Sequence, residues 1–164
     1  MAFPQDLLEQ AGHLARREPT RPKQASLRRA VSTAYYALFH LLISEATSNW
    51  KRVAQRHSLG RAFDHGPMRK ACERKIAEIH KFIRTNRALS PHLTGSNSLF
   101  SVIETFAELR RQRNSADYDG SRRWSRKEAN YYIDRVGTAF ESWPAIRATP
   151  EAQDFLISLL LKDR

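Results

Sequence analysis

Arg113 is the residue whose position most clearly calls for a chemical explanation. It occupies the next place in an apolar pattern with steps of three and four, whose apolar members are Leu99, Val102, Phe106 and Leu109. A guanidinium does not deprotonate in proteins, so it must either pair with an anion or face a cleft. Asp117, four residues further on, is the local candidate partner. If that ion pair accounts for Arg113 completely, no function follows; otherwise Arg113 can hold a phosphate or a carboxylate.

A second polar pattern lies in the segment 24–46. Four of its residues follow one another at steps of four, three and four, and therefore share one side of a helix: Arg29, Thr33, Tyr36 and His40. The stripe has two interpretations. It forms part of a functional surface, or Tyr36 and His40 are simply satisfied polar groups at the edge of a helical bundle.

The sequence lacks the signatures of several other kinds of chemistry. It has no phosphate-binding glycine loop, no HExxH motif, no EF-hand and no GxSxG motif. The six histidines, at positions 13, 40, 57, 65, 80 and 92, contain no i, i+4 pair of metal ligands. The single cysteine, Cys72, lies on a predicted inward face and is interpreted as a core residue. We therefore expect neither a metal nor a cofactor.

The positive charge is concentrated in one segment of the chain. The 164 residues, enough for one domain, carry a net charge of +11. Residues 51–90 alone hold eleven Lys and Arg residues against three Asp and Glu residues. Such a field attracts polyanions, so RNA or another nucleic acid is a reasonable partner, although a merely solubilising surface has the same composition. No apolar run reaches the roughly 20 residues of a membrane span, and the N-terminus does not resemble a signal peptide, so we expect a cytoplasmic protein without a membrane partner.

The elements that must position these residues are all helical, and the fold class is predicted to be all-α. Hydrophobic spacing, prolines and capping residues predict the following helices: 3–17, 24–46, a short helix within 50–63, 64–88, 98–118, one from the Ser125–Glu128 capping box to a weakening or end at Pro144, and a final one from Thr149. Residues 90–98 are predicted to form a loop. In the helix 64–88 the inward residues are expected to be Cys72, Ile76, Ile79 and Ile83.

Three segments divide the chain on this interpretation. Residues 1–23 form an N-terminal helix and a proline-containing linker, residues 24–148 form the bundle, and residues 149–164 form an amphipathic C-terminal helix. The apolar stripe of that last helix packs either on the bundle of its own chain or on a neighbouring subunit; its members are Phe155, Leu156, Leu159 and Leu160.

Two sequence motifs resemble those of the HEPN domain family. The segment 27–40, LRRAVSTAYYALFH, resembles the YYAxFH helix of one HEPN subgroup. The segment 113–119, RNSADYD, is similar to the R-polar-x-x-x-H signature, in the form that ends in ADY. The resemblance covers roughly residues 24–145.

The resemblance implies a HEPN-like antiparallel bundle of four to five main helices with short accessory helices, forming a homodimer whose two arginine motifs meet in a cleft. It also implies a metal-independent endoribonuclease of the kind found in toxin–antitoxin and defence systems. In that chemistry a 2′-hydroxyl attacks the adjacent phosphodiester, which requires charge stabilisation and proton transfer. Arg113 then engages the scissile phosphate and Asn114 supports it. The RNA-binding candidates are Arg29, Tyr36, Arg69, Lys70 and Arg110.

The chain departs from the nuclease signature at Tyr118, which stands where the signature has histidine. A phenol is a poor general base near neutral pH because its ordinary pKa is about 10, so Tyr118 is a candidate acid or phosphate contact, and His40 a candidate source of the imidazole. The alternative is a non-catalytic HEPN module that binds RNA, a nucleotide or a protein. A further possibility is a pair with an MNT-type nucleotidyltransferase acting as antitoxin, for which Tyr118 is the position to examine.

Overall fold

The computed structural model describes residues 2–85 and 98–161, which form seven helices and contain no strand. The helices are α1 Phe3–Arg16, α2 Gln24–Ser48, α3 Val53–Gly60, α4 His65–Thr85, α5 Leu99–Tyr118, α6 Arg126–Ile146 and α7 Pro150–Ser158. The prediction of an all-α bundle is confirmed. In these described ranges, no helix is both long enough and apolar enough to cross a lipid bilayer.

Helix α2 is the central element of the bundle. It packs against α1, α5 and α6 and also contacts the short helices α3 and α7. Its apolar residues point to several sides at once, which is why about half of its residues are buried; the fully buried ones include Leu27, Ala30, Val31, Ala34, Tyr35, Leu38 and Leu42. Tyr36 and His40 lie at the edge of this buried region and are only partly covered.

The predicted starts of α4, α6 and α7 are confirmed by their capping contacts. Ser125 Oγ accepts from the backbone N–H of Glu128 at 3.1 Å, and Glu128 Oε2 accepts from the backbone N–H of Ser125 at 2.8 Å. At the start of α4, Asp64 Oδ1 accepts from the backbone N–H of Gly66. Thr149 Oγ1 accepts from the backbone N–H of Ala152 at the start of α7. These contacts satisfy N–H groups that a helix cannot satisfy internally.

Two details of the predicted helices are wrong, namely an end of α6 at Pro144 and the inward position of Ile83. Helix α6 continues through Pro144 to Ile146, because Trp143 and Ile146 are both buried and hold this last turn in the core. In α4, burial ends at Ile79, whereas Ile83, one turn further on, is 38% exposed, because helical spacing sets the side on which a residue lies but not whether a neighbour covers it. The predicted end of α4 at residue 88 and most of the predicted loop 90–98 fall outside the described residues.

Helix α7 packs on the bundle of its own chain. Phe155, Leu156 and Leu159 are all at most 2% exposed within this single chain, and α7 contacts α2 and α4. The first of the two interpretations of its apolar stripe therefore holds for these residues.

Candidate functional site

The candidate site lies where α5 packs against α2, and Arg113 is at its centre. One guanidinium nitrogen, Nη2, donates to the hydroxyl of Tyr36 at 2.7 Å, and Nη1 donates to Oδ1 of Asn114 at 3.2 Å. Nε lies 2.9 Å from Oδ2 of Asp117, at ion-pair distance, but its N–H does not point along a hydrogen bond to that oxygen. The predicted contact between Arg113 and Asp117 is present, and Tyr36 is an additional partner from another helix.

The carboxylate of Asp117 is itself held in place. Ser32 Oγ on α2 donates to its Oδ2 at 3.3 Å, and the side chains of Asp117 and Arg113 are only 17% and 18% exposed. Arg113 thus sits in a partly enclosed position between the two helices. Each of its two terminal nitrogens has a second N–H, beyond those that bind Tyr36 and Asn114, with which an anion can be bound.

Arg110 adds a second guanidinium one turn before Arg113. Its Nε is buried and has no hydrogen-bond partner, and its side chain pairs with no carboxylate among the described residues. Positions 110 and 113 lie three residues apart and so share one side of α5. This side therefore holds two guanidiniums and one nearby carboxylate, Asp117, which leaves an excess of positive charge.

His65, the first residue of α4, brings an imidazole to the same region. Its Nδ1 shares a hydrogen bond of 2.7 Å with the hydroxyl of Tyr35, and its ring packs 4.3 Å from the ring of Phe39 and 5.9 Å from that of Tyr36. Burial lowers the pKa of His65, and the positive charges of Arg113 and Arg110 lower it further. We therefore expect a neutral imidazole at pH 7, able to accept a proton.

Sequence reasoning did not identify His65, because the only signal was that Tyr35 needs some hydrogen-bond partner, and this does not indicate which residue supplies it. Tyr35 belongs to the apolar side of α2 and is fully buried, and a buried tyrosine hydroxyl needs a hydrogen-bond partner. His65 supplies that partner. Burial raises the pKa of Tyr35 well above its usual range, so its phenol remains protonated.

The predicted catalytic residues are distributed unequally around Arg113. Asn114 is exposed and contacts it directly. Tyr118 is 77% exposed, and its ring centre lies 5.7 Å from the guanidinium of Arg113. His40 lies one turn beyond Tyr36, with its ring centre 4.9 Å from that of Phe3, and no contact between His40 and Arg113 is present.

Of the predicted RNA-binding residues, Tyr36 and Arg110 lie at this centre, and the other three lie elsewhere on α2 and α4. Tyr36 contacts Arg113 directly, and Arg110 lies beside it. Arg29 is exposed two turns before Tyr36 on the same side of α2. On α4, Arg69 lies one turn beyond His65 and binds both carboxylate oxygens of Glu73 at 2.8 Å, while Lys70 is exposed.

Arg28, which lies in the segment 27–40 that resembles the YYAxFH helix, has a structural role. Its guanidinium donates to three backbone carbonyls at the end of α5 and in the loop that follows, those of Ala116, Asp119 and Arg122. It thereby fastens α2 to the segment that carries Asn114 and Tyr118.

Comparison with protein-family models, with curated proteins and with solved structures finds no match to this chain. In the part of the chain that the structure describes, no three His, Cys, Asp or Glu side chains lie together in the way that a metal site requires. Interpretation of the function therefore depends on the geometry around Arg113 and on the two motifs.

Proposed function

We propose that the protein is a HEPN-like protein that acts on RNA, as a metal-independent endoribonuclease of the toxin or defence type. The observation that carries this proposal is the juxtaposition of two guanidiniums, Arg110 and Arg113, with the imidazole of His65 beside the exposed residues Asn114 and Tyr118. Guanidiniums bind phosphates well, and a neutral imidazole can transfer protons at physiological pH. Cleavage of RNA through its own 2′-hydroxyl requires both phosphate binding and proton transfer.

In the proposed reaction, the 2′-hydroxyl oxygen attacks the adjacent phosphorus while His65 accepts its proton. The bond from phosphorus to the 5′-oxygen then breaks, and that oxygen takes a proton from an acid, for which the exposed phenol of Tyr118 is the candidate. The products are a 2′,3′-cyclic phosphate and a 5′-hydroxyl end. Arg113 and Arg110 stabilise the negative charge that builds up on the phosphate oxygens.

Tyr35 has a positioning role in this scheme. When Nδ1–H of His65 donates to the Tyr35 hydroxyl, Nε2 carries the free lone pair that can accept a proton. The buried phenol thus fixes the orientation of the imidazole, and the tautomer that can act as a base through Nε2 is the one in which Nδ1 carries the proton. This assignment places the base at His65, with His40 as the competing candidate from the sequence.

A second function, that of a non-catalytic module that binds RNA, a nucleotide or a partner protein, is favoured by one observation. Arg113 already has three partners within its own chain, Tyr36, Asn114 and Asp117, which is compatible with a mainly structural guanidinium. The presence of Tyr118 in place of the signature histidine favours the same alternative.

The deciding experiment compares Arg113→Ala with Arg111→Ala in RNA cleavage without added metal. Both variants remove one guanidinium from α5, but Arg111 is exposed and pairs with Glu108 away from the site. We expect the parent and R111A to produce cyclic-phosphate ends, and R113A to be about 10²–10³-fold slower. Circular dichroism checks that R113A remains folded.

Two other outcomes would change the conclusion. Salt-sensitive RNA binding that depends on Arg113, without any cleavage by the parent, would establish the binding module. Unfolding of R113A would assign Arg113 a structural role.

The proposal includes a homodimer in the cytoplasm, whereas a pair with an MNT-type nucleotidyltransferase antitoxin belongs to the non-catalytic alternative. Asn114 and Tyr118 are exposed beside Arg113, so a second copy facing this surface would bring two arginine motifs together. Analytical ultracentrifugation of the parent and of Tyr118→Ala tests the dimer. A monomer at micromolar concentration would remove the shared cleft from the proposal.

A further inference from the structure

A pocket of about 380 Å³ lies between α2 and α3, next to the candidate site. Its apolar lining comes mainly from Phe39, Ile43 and Phe63, and its polar rim includes Arg56 and Arg61. We call it the α2–α3 pocket. Its combination of an apolar interior and a basic rim differs from that of an ordinary packing defect, which is lined by apolar groups alone.

The rim of the α2–α3 pocket is positively charged without compensation. None of the described residues that line it is Asp or Glu. Arg56 donates through Nε to the backbone carbonyl of Trp50 at 2.9 Å, which fixes its position and leaves its terminal nitrogens for a ligand. Arg61 is exposed and makes no ion pair with any described residue. Such a rim favours an anion, and bidentate guanidinium contacts suit a phosphate in particular.

The apolar interior favours a flat ring. The pocket has the volume of a small-molecule site, and its floor includes the rings of Phe39 and Phe63, each of which is 7% exposed and offers an apolar edge against which a base can pack. A ligand that combines an aromatic ring with a phosphate at a fixed short distance satisfies both parts of the pocket. A nucleotide has this chemistry.

The pocket adjoins the Arg113 site along one side of α2. Phe39 lines the pocket, and its ring also packs 4.3 Å from His65. His40 lines the pocket as well, and its ring centre lies 6.5 Å from that of Tyr36, whose hydroxyl binds Arg113. A continuous row of aromatic rings therefore connects the two sites.

We propose that the α2–α3 pocket binds one nucleobase of single-stranded RNA, with the phosphate of that nucleotide between Arg56 and Arg61. The inference rests on the proposed function, because it assigns the pocket to the same strand whose scissile phosphate lies at Arg113. It also gives the basic segment that follows residue 50 a specific task, which is to hold the RNA next to the site.

The test measures binding of a labelled 2′-O-methyl hexauridine, which cannot be cleaved through a 2′-hydroxyl. Arg56→Ala/Arg61→Ala is compared with Lys51→Ala/Arg52→Ala, which removes the same charge from two exposed residues of the same segment that do not line the pocket. We expect about a tenfold loss of affinity for R56A/R61A and less than about a threefold loss for K51A/R52A. Equal losses in the two variants would overturn the proposal.

Two additions make the test specific for a base. Because Arg56 also holds the backbone at Trp50, Arg61→Ala and Arg52→Ala are measured as single variants, and R61A alone is expected to weaken binding more than R52A. An oligomer of the same length and charge without bases should bind the parent about tenfold more weakly than hexauridine does. Equal binding of the two oligomers by the parent, or no binding of hexauridine, would contradict the proposal.

The outcome is separable from that of the proposed function. If the parent never cleaves RNA but shows this pocket-dependent binding, the nuclease assignment is wrong and the pocket assignment holds. If cleavage depends on Arg113 while R56A/R61A has the same KM as K51A/R52A, the pocket assignment is wrong and the nuclease assignment holds.

Discussion

The chemistry of the candidate site depends on which of its side chains are charged near neutral pH. Burial acts to lower the pKa of Arg113, but Tyr36 and Asp117 raise it overall, so Arg113 remains a cation. For His65, burial and the two neighbouring arginines lower the pKa and outweigh the opposite effect of Asp64. The site therefore combines permanent positive charge with an imidazole that is neutral at pH 7. That combination suits a base acting beside a bound phosphate.

The pH dependence of cleavage should report the titration of His65. A base must be unprotonated, so kcat/KM should rise with pH through a midpoint below 6.5, the ordinary value for histidine, and then level off. His65→Asn should be about 10²–10⁴-fold slower and should lose this rise. The measurement is a pH–rate profile of the parent and of the variant.

His80→Asn is the control for the pH profile, because His80 is an exposed histidine on the same helix, α4. This variant should keep the profile of the parent. If H65N keeps the acidic limb with an unchanged midpoint, His65 is not the base. If His40→Asn removes the limb instead, the proton acceptor is His40.

At the residue scale, the sequence predicted contacts within one helix and missed those between helices. Asp117 follows Arg113 by four residues, and this spacing makes the two neighbours on any helix. The hydrogen bond between Tyr35 and His65 joins α2 to α4, and no periodicity connects two residues so placed. Periodicity also does not connect Arg113 with Tyr36, although the sequence analysis named each of these two residues separately as a site candidate.

At the scale of helices, Arg28 determines how the end of α5 is held. Its guanidinium donates to the carbonyls of Ala116, Asp119 and Arg122 at 2.9, 2.8 and 2.6 Å. These carbonyls lie in the last turn of α5 and in the loop after it, where the helix itself offers no N–H partners. One α2 side chain thus replaces several missing hydrogen bonds.

Arg28→Ala should lower the free energy of unfolding by about 1–3 kcal/mol, because it leaves these carbonyls without a charged donor. Arg29→Ala is the matched control, since Arg29 is the next residue, is exposed, and has no described partner; its effect should be within about 0.5 kcal/mol. Urea-induced unfolding measures both. Equal stability of the two variants would mean that water replaces the Arg28 contacts without loss.

The bounds of the helices were predictable where local sequence signals determine them. They were less predictable where packing against other helices determines them. Capping residues placed the starts of α6 and α7 correctly, since a cap acts on its own first turn. Pro144 removes one backbone hydrogen bond, but the burial of Trp143 and Ile146 outweighs this loss and continues α6. Periodicity indicated the inward side of α4, but it contains no information about how far along α4 that side is covered, and Ile83 is 38% exposed.

At the scale of the whole molecule, the C-terminal helix is part of the core that supports the site. Phe155, Leu156 and Leu159 belong to the same buried cluster as the apolar residues of α2. Helix α7 contacts α2 and α4, the two helices that carry Tyr35 and His65. The sequence placed a boundary at residues 148 and 149, and these contacts argue for cooperative unfolding across it.

Phe155→Ala should therefore destabilise the whole chain rather than release one helix. Phe155 is 1% exposed, and removal of a buried phenylalanine ring costs about 3–5 kcal/mol. Ile157→Ala on the same helix is the control, because Ile157 is 57% exposed and should change stability by no more than about 0.5 kcal/mol. In urea, the unfolding midpoints of F155A measured by circular dichroism and by tryptophan fluorescence should fall together, because α7 shares one core with the rest of the bundle. A separate minor transition, with the main one unmoved, would instead make α7 an appendage that folds independently of the bundle.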